Sequence, residues 1–403
     1  MRDRDELSAW LRLLETPQVG RESARKLLAA FGSPQAVLTA SVSARREVVA
    51  TAAAQALATP PSTLAALVTA TLSWIDAEHD SARAVIALGD PRYPTLLLET
   101  ADPPLLIYTQ GRTELLQAAS IAVVGSRNPT PQGIENARAF ATHLSATGLT
   151  VVSGLALGID AAAHDGALSR VGSTIAVVGT GLDQVYPRSN LDLARRIARL
   201  GLMVSEYALG TPPLPRHFPP RNRIIAGLAQ GTLVVEAALQ SGSLITARLA
   251  SEAGRDVFAI PGSIHSPQSR GCHALIKQGA KLVEAGQDIL EELLLPPRAD
   301  VRAAGRDSAG AGAGAGAGAD ASERAKAAPG QAELPLSAAP GAPNVAAVDA
   351  LLDALGFDPV TLDALVARTG WDAAELNVRL LNLELAGFVA RLPGQRVQRL
   401  SGT

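Results

Sequence analysis

The sequence predicts an α/β protein built on a Rossmann-like, doubly wound, mostly parallel sheet, with a helical domain before it and a winged helix after it. Three observations carry this. Six short apolar runs, "SIAVVGS", "TVVSG", "STIAVVGTG", "LMVSE", "TLVVEA" and "DVFAIPG", alternate with stretches of helical length between residues 120 and 295. Continuous apolar strands with helices between them require a parallel sheet covered on both faces. Hydrophobic residues make up 47% of the chain but aromatics only 3%, a balance that suits this class better than a sandwich, which draws on β-branched and aromatic residues. Residues 344–403 then change to three helical segments and a hairpin, the order of a winged helix.

In chain order, residues 1–80 are expected to form a helical domain of the helix-hairpin-helix or SAM-like type. In "TPQVGRESARKLLAAFGS" a turn at Pro17–Gly20 leads into a helix whose Ala24, Leu27, Leu28 and Phe31 share a face, and Gly32 suits its C-terminus. The turn either offers backbone N–H groups to a phosphate or serves a domain that only packs. Residues 81–295 form the Rossmann-like core, with "RAVIALGD" and "PPLLIYTQG" as edge strands and helices near 132–147 and 191–200. Residues 296–343, rich in Pro, Ala and Gly and containing "AGAGAGAGAGA", read as a flexible linker reaching roughly 40 Å. In the last domain, helices are expected near 345–355, 361–367 and 373–386, the third capped by Asp372, with a hairpin around Pro393-Gly394.

Charge and cysteine content exclude some classes. The formal net charge is -2, so no global field attracts a polyanion, and any basic surface is local. Residues 120–295 carry 15 Lys and Arg against 13 Asp and Glu, which calls for focused charge in a cleft. Residues 344–403 carry 5 against 7, and the third helix there sets Glu375 and Glu384 against Arg379. A DNA-reading helix is usually basic, so this domain is expected to contact protein or act as an accessory. The single cysteine, Cys272, rules out an intramolecular disulfide and suits a reducing compartment. With no signal-peptide core in "MRDRDELSAWLRLL" and no stretch long and apolar enough for a membrane, a cytoplasmic protein with no membrane partner is expected.

In an open parallel sheet, ligands bind beyond the carboxyl ends of the strands. There this sequence places Gly125-Ser126-Arg127, then "SGLALGIDAAAH" with Ser153, Gly154, Gly158 and Asp160, then "GTGLDQVYP" with Gly179, Thr180, Gly181, Asp183 and Tyr186. "EAALQSGSLITA" follows with Ser241, Gly242, Ser243 and Thr246. Glycines let backbone N–H groups approach a ligand, and a following helix N-terminus completes an anion site. "FPPRNRIIAGLA", from Phe218, sets Arg221, Asn222 and Arg223 at a helix start, where a basic residue is unfavourable unless an anion arrives. Together these predict a pocket with several phosphate-type subsites. The first turn is not G-x-G-x-x-G and there is no Walker A pattern, which disfavours dinucleotide oxidoreductases and NTPases. No His, Cys and carboxylate spacing suits a metal; Asp160 and His164 share a helix face but read as structural. Asp183, Glu206 and Glu236 end strands and are either acids and bases or partners of the arginines. Cys272 reads as a packed thiol. No cofactor is expected.

These motifs closely resemble the DNA-processing protein A (DprA, or Smf) family, in "GSR", "SGLALGIDAAAH", "GTGLDQVYP", "FPPRNRIIAGL", "VVEAALQSGSLITA" and "GRDVFAIPG". The resemblance implies a non-enzymatic protein that binds single-stranded DNA in the Rossmann-like cleft, forms a homodimer and loads the RecA recombinase in natural transformation. It implies a DNA contact for Arg127. Where relatives often carry Lys or Arg before the "TIAV" strand, this chain has Ser173, a departure that removes one cation. It also implies a dimer interface near the end of the core, in "GCHALIKQGAKLVEA". There Leu275 and Ile276 point about 100° apart on a helix, so either one faces a partner or both belong to the core. With few aromatics, Tyr186, Tyr207 and Phe218 are the stacking platforms available for bases. Two alternatives stay open: a nucleotide phosphoribohydrolase using Glu236, although "PGGxGTxxE" is absent, and a nucleotide-sensing transcription regulator, which the acidic third helix disfavours.

Overall fold

The computed structural model describes residues 3–293 and 345–400, the side chains of 345–349 excepted; the linker expected at 296–343 lies outside them. The apolar runs form one sheet: β1 (Arg83–Ala87), β2 (Leu106–Gly111), β3 (Ser120–Val124), β4 (Thr150–Ser153), β5 (Thr174–Val178), β6 (Leu202–Ser205), β7 (Gly231–Val234), β8 (Asp256–Ala259) and β9 (Lys281–Leu282). Their order is β1-β2-β6-β5-β4-β3-β7-β8-β9. From β6 to β9 every pairing is parallel, while β1 and β2 add an antiparallel edge. The chain winds outward from β3 through β4 and β5 to β6, then returns to lay β7 on the other side of β3. That reversal opens a crevice at the carboxyl ends of β3, β4 and β7.

Strand alternation divides the core. Ile121, Val123, Val151, Leu233 and Phe258 pack under the helices Pro131–Ala146 and Gly286–Glu292. Ala122, Val124, Val152, Ile175, Val177 and Val234 pack with Ile224, Ile225 and Leu228 of the helix Phe218–Leu228 on the opposite face. A further cluster joins Leu7, Leu11 and Leu27 of the N-terminal helices to Val85, Leu106, Tyr108 and Met203. The N-terminal helices therefore share a core with the sheet edge. A partly exposed ion network reinforces the junction: Arg21 and Arg25 of the helix Arg21–Phe31 pair with Asp102, and Arg21 also reaches Glu206.

The C-terminal domain has helices Val345–Leu355, Leu362–Thr369 and Ala373–Leu385 and a small sheet, β10 (Val360–Thr361), β11 (Val389–Leu392) and β12 (Arg396–Arg399). Asp372 caps the third helix by accepting from the N–H groups of Ala374 and Glu375. Leu376, Leu380 and Leu383 of that helix fill the core, and Glu375 and Glu384 pair with Arg379 and Arg391. The domain rests on the sheet domain through Arg368, which donates to both carboxylate oxygens of Glu135 at 3.1 and 3.2 Å. Among the described residues no helix is long and apolar enough to cross a membrane.

Candidate functional site

The crevice opened by the strand reversal is a cleft of about 430 Å³. One wall is the β3 turn, Gly125 to Asn128; the other is the start of the helix Gly242–Glu252, with Phe218 and Asn222 at the rim. Ser126 accepts from the Asn128 N–H at 3.1 Å, which sets the turn. Arg127 at its tip is exposed and has no ion-pair partner among the described residues. Its guanidinium lies 5.9 Å from the Phe218 ring centroid. Tyr186, half exposed and outside the cleft lining, lies 5.6 Å from the same Phe218 ring. A cation and two aromatic rings thus stand side by side, the combination that takes a phosphate and a stacked base. Facing them, Ser241 caps its helix by accepting from the Ser243 N–H at 3.3 Å, and the two hydroxyls bond at 2.7 Å. The positive end of that eleven-residue helix and the buried hydroxyl of Thr246 line the cleft.

The three residues that open the helix Phe218–Leu228 have three different tasks. Arg221 is buried, 4% exposed, and donates to the carbonyls of Gly154, at 2.6 Å, and Val177. A Cβ at Gly154 would come 2.5 Å from that guanidinium, so glycine is needed there for close approach. Burial lowers the Arg221 pKa to about 10, against the opposing pull of Asp160. Asn222 lines the cleft and donates to the Gly242 carbonyl at 3.3 Å, tying its two walls together. Arg223 does not line the cleft; it pairs with Asp102 and Glu206 in the ion network that holds the N-terminal helices. The expectation that both arginines offer forks to a phosphate is therefore corrected for Arg223, whose guanidinium is engaged by Asp102 and Glu206, whereas Arg221 lines the cleft with its Nη1 bonded to the two carbonyls.

Other expected residues also support the cleft from behind. Ser153 donates to the Val123 carbonyl at 2.7 Å, locking β4 to β3. Thr180 donates to the Gln184 carbonyl at 2.6 Å, the Gly181 N–H to the Thr211 carbonyl at 3.0 Å, and Asp183 accepts from the Gly210 N–H at 2.9 Å. Those bonds hold the loop carrying Tyr186, and neither Gly179 nor these three residues line the cleft. Gly154 was expected to offer an open N–H, but it donates inward to Asp160 at 3.1 Å. Asp160 reaches the cleft lining but is buried and its carboxyl is raised, burial outweighing Arg221; its Oδ2 accepts from the turn's own N–H groups. Gly158, at a φ of 78° that suits glycine, starts the helix Ile159–Leu168. The Ile159 N–H donates to the Ser126 carbonyl at 3.1 Å, joining that helix to the Arg127 turn.

Glu236 lies outside the cleft lining and accepts from the Thr130 N–H at 2.9 Å and hydroxyl at 2.6 Å. Its carboxyl is raised, chiefly by burial. Cys272 is buried and burial pushes its thiol up to about 12. Leu275 and Ile276 both pack, half-buried, on the core, and Leu275 also lines a separate groove of about 650 Å³ with Leu244 and Val257. No group of three or more metal-ligating side chains gathers among the described residues. Sequence reasoning missed the amides of Asn128, Gln240 and Gln268, which line the cleft, and Asn190 behind it; single amides carry no motif.

Three family models match the chain: "DNA recombination-mediator protein A" over residues 84–294, "DprA winged helix domain" over 335–395 and "DprA-like N-terminal HHH domain" over 4–63. The Escherichia coli protein Smf is 38% identical over 328 residues, covering 81% of this chain and 79% of that protein. The DNA processing protein DprA of Streptococcus pneumoniae is 52% identical over 203 residues, 50% of this chain and 72% of its own length. An X-ray structure of that S. pneumoniae protein superposes with a TM-score of 0.61 at 39% identity, covering 71% of this chain and 97% of that one.

Proposed function

Because the chain belongs to the DprA/Smf family of DNA recombination mediators, we propose that it binds single-stranded DNA across the carboxyl edge of its sheet. In this reading it presents the strand to the RecA recombinase during natural transformation, in the cytoplasm and without catalysing a reaction. The observation that carries it is a cleft lined by Arg127, Phe218 and a helix N-terminus, with Tyr186 against Phe218 just outside the lining. An unpaired cation and a helix start take phosphates, and rings stack on unpaired bases, which a duplex keeps to itself. The amides of Asn128, Asn222, Gln240 and Gln268 suit sugar and base edges with weak sequence preference. Glu236 does not favour a phosphoribohydrolase, because its oxygens are engaged by Thr130 and it is absent from the cleft lining.

The groove beside Leu275 is the surface through which a second copy would dock. Two clefts in one dimer would raise the effective concentration of the second site on one strand. Anisotropy of labelled single- and double-stranded oligonucleotides across a salt series tests the binding. Preference for the single strand, weakening with salt, is expected; equal affinity for both forms would refute it.

A further inference from the structure

Going beyond that reading but resting on it, we propose that Asn190 and His164 are positioning residues, which hold the turn after β4 so that Arg127 stands at the mouth of the cleft. Every backbone polar group of Gly154, Leu155 and Ala156 is claimed by a side chain. The N–H groups of Gly154 and Ala156 donate to one Asp160 oxygen at 3.1 and 3.3 Å. The Gly154 carbonyl accepts from Arg221 at 2.6 Å. The Leu155 N–H donates to His164 Nε2 at 3.3 Å. The carbonyls of Leu155 and Ala156 accept from Asn190 Nδ2 at 3.0 and 3.2 Å.

Two features set this apart from ordinary loop bonding. Leu155 is fully buried at a φ of 58°, a left-handed conformation that a branched residue holds only where its surroundings impose it. Asn190 stands at the N-cap of the helix Leu191–Leu200 yet makes no side-chain capping bond. Asn at that position ordinarily bonds to its own helix; here it reaches across to the turn instead. His164 is fixed in turn. The Thr174 hydroxyl donates to the Val151 carbonyl at 2.6 Å and so accepts from His164 Nδ1 at 2.7 Å. The ring is thereby a neutral Nδ1–H tautomer whose Nε2 is free to accept from Leu155.

The turn has a mechanical route to the ligand. It ends at Gly158, and the next N–H, of Ile159, holds the Ser126 carbonyl. Ser126 precedes Arg127. A Cβ at Gly158 would come 2.5 Å from that same carbonyl, so the two turns are in close contact and a shift in one displaces the other. Asn190 and His164 line no part of the cleft and act only through the backbone they grip.

The test is Asn190→Ala in the full chain, with a labelled oligothymidylate read by anisotropy across a salt series and amide exchange followed at 154–159 without DNA. Affinity is expected to fall about tenfold, by analogy with the lower end of what losing an orienting partner costs at a metal site. The log–log salt slope stays unchanged, since no phosphate contact is removed, and exchange rises at Leu155 to Ile159. Asn190→Ser, which keeps one donor, recovers part of the affinity, whereas Asn190→Asp, which keeps none toward two carbonyls, does not. If Asn190→Ala fails to fold, this Ser and Asp pair carries the comparison. Wild-type affinity in a donor-less variant, a reduced salt slope, or unchanged exchange would overturn the proposal. A wild-type protein that binds no oligothymidylate would instead overturn the proposed function, and the exchange data would still decide the positioning.

Discussion

Acid should weaken this protein through His164, and the size of the effect follows from its burial. The ring is fully buried beside Arg221, and burial, then that charge, lowers its pKa from 6.5 to about 3. Between those values the unfolded chain binds a proton that the folded chain refuses. The unfolded state therefore holds more protons, and stability falls as pH drops through 6.5 toward 3. At pH 5 the loss relative to pH 8 is about 2 kcal/mol, and it reaches about 4 kcal/mol at pH 3. Asp160, Glu236 and Glu15 are carboxyls raised by burial and titrate with the opposite sign, so the raw curve mixes terms. The comparison to make is with His164→Gln, whose amide can accept from Leu155 and donate to Thr174 but does not titrate. Urea unfolding at a series of pH values should show a gap between the two proteins that changes by about 2 kcal/mol from pH 8 to pH 5. A gap that stays flat over that range would refute the argument, because it would mean that the buried ring is protonated no less easily than in the unfolded chain.

Four other outcomes are expected. Arg127→Ala should weaken oligothymidylate binding and shrink the log–log salt slope by about 0.7, with urea unfolding unchanged because the side chain is exposed. Arg223→Ala should leave the slope alone but destabilise the protein by about 3 kcal/mol, since it strands Glu206, 12% exposed, without its main partner; protease nicking between the N-terminal helices and the sheet would report it. Leu275→Glu, in the groove proposed as the interface, should split a dimer by light scattering while circular dichroism stays native, and a folded protein that remains dimeric would place the interface elsewhere. Removing residues 344–403 should preserve most single-strand affinity, because that domain lines no part of the cleft and its acidic helix is internally paired; loss of nearly all binding would return the winged helix to the DNA.

What the sequence made legible follows the range of the interactions involved. Buried parallel strands are continuous apolar runs, so all six core strands and both edge strands stand where their runs are. The switch point places the cleft at the carboxyl ends of β3, β4 and β7, and Gly125 to Arg127, Ser241 to Ser243 and Thr246 fall there because each directly follows its strand or opens its helix. Successive helical residues point about 100° apart, so Arg221, Asn222 and Arg223 span too wide an arc to face one pocket, and they meet Gly154, Gly242 and Asp102 respectively. Leu275 and Ile276 are separated by the same angle, yet both lean on the core.

The turn behind the cleft could not be read in this way. Its glycines suggested open N–H groups, and those groups are instead taken by Asp160 and His164. Asp160 and His164 are helical neighbours of the turn, but Asn190 is 35 residues from Leu155 and Arg221 is 67 from Gly154. Neither distance leaves a mark in local pattern. Asn190 even carries a misleading one, standing where a helix cap is expected and serving another segment. A strand-to-helix turn rich in glycine is thus compatible with two opposite arrangements, one that offers its amides to a phosphate and one that hides them to hold a neighbouring loop. The buried polar partners decide between them, and here they favour a phosphate site made of Arg127 and a helix start, with the β4 turn as its support.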